Sequence, residues 1–167
     1  MILVTVGSMF PFDRLISAVD EMARKVGPQA RFFAQIGDGS YEPKHMNFVR
    51  FVAREEFGAL VADAEVVISH AGIGTIAETL KFGKPLLVLP RRQALGEHVN
   101  DHQVGTARRF TELGHLLFAE TEADLPKGLV LAMSFTPQVR IANPSAIAAR
   151  VAEILERLER QRVSPTL

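Results

Sequence analysis

Short apolar runs alternate with amphipathic runs along most of the chain. Several of the short runs are apolar throughout, which is typical of strands covered on both faces. They predict strands at Ile2–Val6, Arg31–Ile36, Phe48–Phe51, Val66–Ser69, Leu86–Leu89 and Leu116–Phe118. Helical spacing between them predicts helices at Asp13–Val26, Glu55–Ala62, Thr75–Phe82, Val99–Leu113 and roughly Glu122–Met133. Repeated strand–helix units predict an α/β fold, a parallel sheet with helices on both faces.

An apolar stripe near the C-terminus predicts one more helix, over residues 144–160, followed by a frayed tail at 161–167. This helix packs either on the sheet of its own chain or on another subunit, and the sequence leaves both interpretations open. The stripe consists of Ile147, Val151, Ile154, Leu155 and Leu158.

Length and composition narrow the possible functions. The 167 residues suit a single domain spanning 1–167, and the absence of cysteine excludes disulfides and thiolate chemistry. Nineteen basic and nineteen acidic residues give no net charge, which argues against a nucleic-acid partner. We see no signal peptide and no transmembrane segment, and expect a cytoplasmic protein that a partner could hold at a membrane.

The segment "HAGIGTIAE", residues 70–78, interrupts the pattern between a buried strand and a helix. Gly72 and Gly74 let the chain turn and let a ligand approach the backbone closely. The free N–H groups at a helix start favour an anion such as a diphosphate. No Gly-Lys-Ser/Thr follows, so this is not a Walker loop, and the first turn lacks the glycines of a dinucleotide fingerprint.

Two residues of this segment each allow two interpretations. Thr75 and Glu78 have the spacing of a capping box, in which the acid folds back onto the helix start. The same carboxylate could instead accept hydrogen bonds from two neighbouring ribose hydroxyls. His70 is either an ordinary loop histidine or a donor to phosphate.

Three other features also suggest site or capping roles. His98 and His102 would share a helix face, but a zinc site needs a third ligand and none is obvious. Arg91 and Arg92 either face phosphate or a partner, or form a solvated pair. Asp13 could cap the first helix after a turn made by Gly7.

The block from Val66 to Gly114 carries "HAGxGTxxE…GKPxxxxP…DHQ" and resembles the C-terminal, donor-binding half of family 28 glycosyltransferases, the MurG-like group. The opening "ILVTVGS" and the length resemble the small subunits of two-part enzymes. These include PssE-type exopolysaccharide subunits and the cytosolic subunit of the N-acetylglucosaminyltransferase that forms chitobiosyl-dolichol. The resemblance implies a Rossmann-like domain, the C-terminal half of a GT-B glycosyltransferase.

The resemblance also implies residue roles. Glu78 would hold the ribose of UDP, with the uracil beside Phe51 and Val52. The diphosphate would lie against the 70–75 loop and the turn after the first strand, and the sugar against "DHQ". The implied contacts are Gly7, Ser8, Phe51, Val52, His70, Gly72, Gly74, Thr75, Glu78, Asp101, His102 and Gln103.

The implied function is that of a donor-binding subunit of an inverting, UDP-sugar-dependent glycosyltransferase. A membrane-anchored partner would bind a lipid-linked acceptor, and the chain would be inactive alone. UDP-sugar is then a substrate, no cofactor or metal is expected, and no general base can be assigned. The alternative is a non-catalytic nucleotide-binding or regulatory module, while an epimerase of this architecture normally needs two domains in one chain.

Overall fold

The computed structural model describes residues 1–138, 149–150 and 152–154. Within them, one parallel sheet has the strand order β3-β2-β1-β4-β5-β6. This confirms the predicted parallel α/β architecture. The strands are β1 (Ile2–Thr5), β2 (Phe32–Gln35), β3 (Asn47–Val49), β4 (Val66–Ser69), β5 (Leu86–Val88) and β6 (Leu117–Phe118).

Helices cover both faces of the sheet. Successive strand residues point to opposite sides, so each face has its own buried cluster. Val4 and Ile68 belong to a buried cluster with residues of the first and last helices, whereas Leu3 and Val67 belong to a second cluster with the middle three. The helices are α1 (Asp13–Val26), α2 (Arg54–Asp63), α3 (Ile73–Lys81), α4 (His102–Glu112) and α5 (Leu125–Ala132). None of the helices in the described ranges is long and apolar enough to cross a membrane.

The strand order reverses direction between β1 and β4. From β1 the chain builds outward to β2 and β3, and from β4 it builds the other way to β5 and β6. Thr5 pairs with Ser69 at the end of the two central strands, so the loops after β1 and β4 leave side by side. Such a reversal opens a crevice beyond the carboxyl ends of the strands, where open α/β sheets bind ligands.

Helices α3 and α4 do not begin where predicted, and one predicted helix cap is wrong. Helix α3 begins at Ile73 with Gly72 as its N-cap, two residues earlier than predicted. Helix α4 begins at His102 instead of Val99, because the preceding loop is held by other contacts, including a hydrogen bond from the Gln93 amide to Asp101. Asp13 does not cap α1: Phe12 is the N-cap, and the Asp13 carboxylate accepts hydrogen bonds from Ser40.

Residues 149–150 and 152–154 are helical, within the helix predicted over 144–160. Ile154, a member of the apolar stripe, is 39% exposed. The rest of that helix and the tail at 161–167 lie outside the described residues. The packing of the stripe therefore stays a prediction.

Candidate binding cleft at the carboxyl edge of the sheet

Two neighbouring cavities lie at the switch point of the sheet. One, the Glu78 cavity, has a volume of about 460 Å³, and the other, the His70 cavity, has a volume of about 310 Å³. Both are lined by Gly7, Ser8, Gly74 and Thr75, from the loop after β1 and the start of α3. Together they form one cleft whose midpoint is the N-terminus of a helix.

The Glu78 cavity combines an apolar wall with one carboxylate. Phe51, which follows β3, is 53% exposed and offers a flat apolar surface. The residues that line the Glu78 cavity are Thr5, Gly7, Ser8, Gln35, Phe51, Val52, Arg54, Phe57, Gly74, Thr75 and Glu78.

Glu78 does not take part in a capping box, so that interpretation is wrong. Because α3 begins at Ile73, Thr75 is the third residue of the helix and Glu78 lies nearly a turn further on. The Glu78 side chain is 31% exposed, and its carboxylate lies 3.4 Å from the Lys81 ammonium. Gly58 of α2 approaches so closely that a Cβ there would lie 3.5 Å from the Glu78 Oε1. The acid is thus a partly open acceptor in the wall of the cavity.

The His70 cavity is built by the loops that follow β1, β4 and β5. Of the described residues that line it, none is Asp or Glu, whereas one Arg and three His contribute. Its lining residues are Val6, Gly7, Ser8, Met9, Phe10, His70, Gly72, Ile73, Gly74, Thr75, Arg91, His98, His102 and Gln103.

The His70 ring is wedged between two glycines. A Cβ added at Gly72 would lie 2.1 Å from the ring Cε1, and one at Gly7 would lie 2.6 Å from Nε2. The Thr75 hydroxyl lies 3.4 Å from the same Nε2. Burial, reinforced by the charge of Arg91, lowers the pKa of His70 to about 3. At neutral pH His70 is therefore an uncharged hydrogen-bonding group.

Arg91 is a buried cation, so the solvated interpretation is wrong for it. It is 2% exposed, and its Nη2 donates to the carbonyl oxygens of Val6 at 2.8 Å and Phe10 at 2.6 Å. Burial lowers the pKa of Arg91 to about 10, which leaves it protonated at neutral pH. Arg92 points elsewhere and donates to the carbonyl of Glu120.

The "DHQ" segment divides among three environments. Gln103 is buried, and its Oε1 accepts hydrogen bonds at 3.2 Å from the amides of Ala71 and Arg91, which ties the loops after β4 and β5 together. His102 is exposed and lines the His70 cavity. Asp101 lines neither cavity, and its carboxylate accepts from the Gln93 amide at 2.8 Å. The structure therefore does not bring Asp101 to the cleft with the other predicted residues.

The zinc alternative receives no support from the described part of the chain. His98 precedes α4 instead of lying on it, and its ring contacts that of His102 edge to face, with centroids 4.6 Å apart. The described residues contain no group of three His, Asp or Glu side chains placed to hold a metal ion.

Several lining residues escaped the sequence analysis. The sequence could have indicated Gln35, because it is a polar residue at the end of a buried apolar strand. Arg54 and Phe57 line the Glu78 cavity because α2 packs beside α3. The His70 cavity is lined by Met9 and Phe10, from the loop after β1, and by Ile73, the first residue of α3. No local pattern of residues marks these five.

The sheet has the Rossmann-like fold of one half of a GT-B glycosyltransferase. The structure aligns with the NMR structure of ALG13 at a TM-score of 0.60 and 21% identity, over 88% of this chain and 92% of that one. It aligns with the crystal structure of Acinetobacter baumannii MurG at a TM-score of 0.54 and 20% identity, over 80% of this chain and 41% of that one. At these identities the likeness establishes the fold.

The chain belongs to the glycosyltransferase family 28 C-terminal domain family, whose model matches residues 1–158. It is 32% identical over 126 residues to the human UDP-N-acetylglucosamine transferase subunit ALG13, covering 70% of this chain and 11% of that protein. It is 33% identical over 112 residues to the subunit of the same name from Eremothecium gossypii, covering 66% of this chain and 52% of that protein. The chain thus spans about a tenth of the human relative and half of the fungal one.

Proposed function

We propose that this chain is the donor-binding subunit of an inverting, UDP-sugar-dependent glycosyltransferase. The observation that carries the proposal is the cleft formed by the two cavities, with a partly exposed carboxylate at one end, a helix N-terminus in the middle and a basic cavity at the other end. In a nucleoside diphosphate sugar the ribose hydroxyls complement the carboxylate, and the diphosphate complements the helix N-terminus and the neighbouring basic cavity. The ribose would bind Glu78, the uracil would lie on Phe51 and Val52, and the diphosphate would meet Gly74 and Thr75.

The proposed chemistry requires the chain to stabilise a leaving group. An acceptor hydroxyl attacks the anomeric carbon, the bond from that carbon to the diphosphate breaks, and the electron pair departs with UDP. Backbone N–H groups at the start of α3 and the Arg91 charge lie where this negative charge develops, and such donors act most strongly in the transition state. His70, uncharged at neutral pH, serves as a hydrogen-bonding group.

The acceptor side of the reaction is assigned to a partner. A GT-B enzyme places its site between two domains, and this chain supplies the fold of one. We propose a membrane-anchored partner that binds a lipid-linked acceptor and supplies the general base, with this chain held at the cytoplasmic face through that partner. The names of the human and fungal relatives designate transferase subunits and UDP-N-acetylglucosamine, which is therefore the first donor to test.

The nucleotide assignment is tested by Glu78→Gln. This change keeps the size of the side chain but removes the charge that accepts two ribose hydroxyls, and it should weaken UDP binding by about tenfold or more. Isothermal titration calorimetry measures the affinity, and thermal unfolding checks that the fold is kept. Glu112→Gln is the matched control, since Glu112 lies on α4 and pairs with Arg109. Unchanged UDP binding in Glu78→Gln overturns the ribose assignment.

The transferase assignment is tested by reconstitution with a membrane subunit of the proposed kind. We expect no transfer by this chain alone and transfer from at least one UDP-sugar when both subunits are present. A panel of UDP-N-acetylglucosamine, UDP-glucose and UDP-glucuronic acid identifies the donor. If the complex binds UDP but transfers none of these sugars, the chain is better described as a non-catalytic nucleotide-binding module.

A further inference from the structure

Gln35 is a buried polar side chain at the floor of the Glu78 cavity. It is 4% exposed, at the carboxyl end of β2. Its Oε1 accepts a hydrogen bond at 2.7 Å from the Thr5 hydroxyl, and its Nε2 donates at 3.0 Å to each of two carbonyl oxygens, those of Gly7 and Arg50. Both N–H groups of the amide are thereby used inside the protein.

The Gln35 amide and the Thr5 hydroxyl hold Gly7 at both of its backbone groups. The Gly7 amide donates to the Thr5 hydroxyl at 3.2 Å, and the Gly7 carbonyl accepts from Gln35. Gly7 has φ of 74°, a left-handed conformation that favours glycine, so the turn after β1 has a defined shape that these bonds maintain.

The second carbonyl bound by Gln35 belongs to the opposite wall. The Arg50 oxygen also accepts from the Gly37 amide at 2.8 Å, and Arg50 immediately precedes Phe51 and Val52. One side chain therefore connects the turn that borders both cavities with the segment that forms the apolar wall of one.

We propose that Gln35 is a positioning residue of the nucleotide site, which sets the distance between the diphosphate-facing turn at Gly7 and the base-facing segment at Phe51. This inference rests on the proposed function, because it takes the ligand to be a nucleoside diphosphate. Gln35 acts through the two backbone segments that it joins. The effect of losing it is thus specific: a ligand that spans both segments suffers more than a ligand that touches one.

Glutamine is the side chain that fits these three bonds. Glutamate has the same size, but its carboxylate would face two carbonyl oxygens with no proton to donate. Methionine keeps the volume and leaves both carbonyls and the Thr5 hydroxyl without this partner, and unpaired buried polar groups are costly.

The first arm of the test needs no ligand. In ¹H–¹⁵N spectra of the full chain, the Gln35 side-chain amide should exchange slowly with solvent, and Gln35→Met should shift the Gly7 and Phe51 amide signals together. Gln29→Glu, an exposed change at the opposite edge of the sheet, should shift neither. If Gly7 and Phe51 keep their signals in Gln35→Met, the coupling does not exist and the inference is overturned.

The second arm compares UDP with uridine. In Gln35→Glu and Gln35→Met, UDP affinity should fall by about tenfold or more, whereas uridine affinity should change by less than about threefold. Thr5→Ser keeps the hydroxyl and should retain UDP affinity, while Thr5→Val should lose it in part. Thermal unfolding identifies any variant that is not folded. If the Gln35 variants do not fold, the UDP and uridine affinities are compared in Thr5→Val instead.

The outcomes separate the two hypotheses. If the folded Gln35 variants bind UDP as tightly as the wild type does, the positioning role is overturned and the proposed function stays intact. An equal loss of UDP and uridine affinity also overturns it, since that result indicates general disruption of the cavity. A wild-type chain that binds neither ligand overturns the proposed function, and the nucleotide role of Gln35 with it.

Discussion

The two cavities of the cleft are built on opposite principles. The Glu78 cavity has a carboxylate that remains partly exposed and faces a largely apolar wall, with Arg54 also in the lining. In the His70 cavity the charged group is Arg91, which is buried and already bound to two carbonyls, and none of the described lining residues is acidic. One end is suited to neutral hydroxyls and an aromatic base, and the other is suited to an anion.

The difference also concerns rigidity. Glu78 can turn towards a ligand at the cost of one contact at 3.4 Å with Lys81. In the His70 cavity the two central groups are fixed: the His70 ring fills the space between Gly7 and Gly72, and Arg91 is buried and bound to two carbonyls. Substitutions in the Glu78 cavity should therefore affect ligand binding, whereas substitutions in the His70 cavity should affect the stability of the fold as well.

Gly72→Ala should have the largest effect on stability. Its Cβ would lie 2.1 Å from the His70 ring, which cannot move freely because Gly7 bounds its other side. We expect a loss of about 3 kcal/mol in the free energy of unfolding, measured by urea titration. Because the three nearest atoms all belong to His70, Gly72→Ala combined with His70→Ala should recover much of the loss. No recovery would show that the contact with the ring is not the cause.

Gly74→Ala is the matched control two residues further on. A Cβ there meets no atom within 4 Å, and alanine favours a helix over glycine, so stability should hold or rise slightly. Because Gly74 borders both cavities, the added methyl should still weaken UDP binding, as calorimetry would measure. If UDP binding is unchanged, the diphosphate does not lie against the start of α3.

Arg91→Met should have the next largest effect. It removes two charge-assisted bonds to the carbonyls of Val6 and Phe10 and should cost about 2 kcal/mol of unfolding free energy. Arg92→Met removes a single bond on a half-buried side chain and should cost less than about 1 kcal/mol. Equal losses in the two variants would remove the distinction between a buried and a surface cation.

The pH dependence of stability should reveal the buried His70. Its folded-state pKa is about 3, below the unfolded value of 6.5, so the unfolded chain takes up a proton that the folded chain refuses. Its contribution to stability is complete above pH 6.5 and falls as the pH drops towards 3. Between pH 7 and 5.5, His70 alone should account for a loss of about 1 kcal/mol.

Urea unfolding at those two pH values of the wild type and His70→Gln measures this contribution. Besides burial, the charges of Arg91 and His98 lower the pKa of His70, whereas a hydrogen bond with Gln103 raises it in part. The pKa of His98 is also lowered, so His98→Gln serves as the comparison. If the wild type and His70→Gln have the same pH dependence, His70 is not held neutral by burial.

The sequence was sufficient to predict those parts of the fold and the site that a local pattern of residues determines. The apolar run at Val66–Ser69 and the glycines that follow placed the central strand and its loop, and Glu78 lies in the wall of a cavity beside that loop. It was insufficient where distant contacts decide. Asp13 looks like a helix cap but binds Ser40, 27 residues away. For Arg91 the sequence left a ligand-facing and a solvated interpretation open, because no local pattern shows that the turn after β1 closes over it.

Asp101 shows the same limit within a motif. It stands beside His102 and Gln103 in the sequence, but the side chains of consecutive residues at a helix start point in different directions. Only His102 and Gln103 reach the His70 cavity, while Asp101 fixes the preceding loop. A motif identifies the segment, and the backbone decides which of its side chains face the ligand.

A structure of the chain with UDP bound tests the central claim most directly. The account predicts the ribose hydroxyls on the Glu78 carboxylate, the uracil against Phe51 and Val52, and the diphosphate between Ser8 and Gly74. UDP bound at another place, with Glu78 still turned towards Lys81, would contradict it.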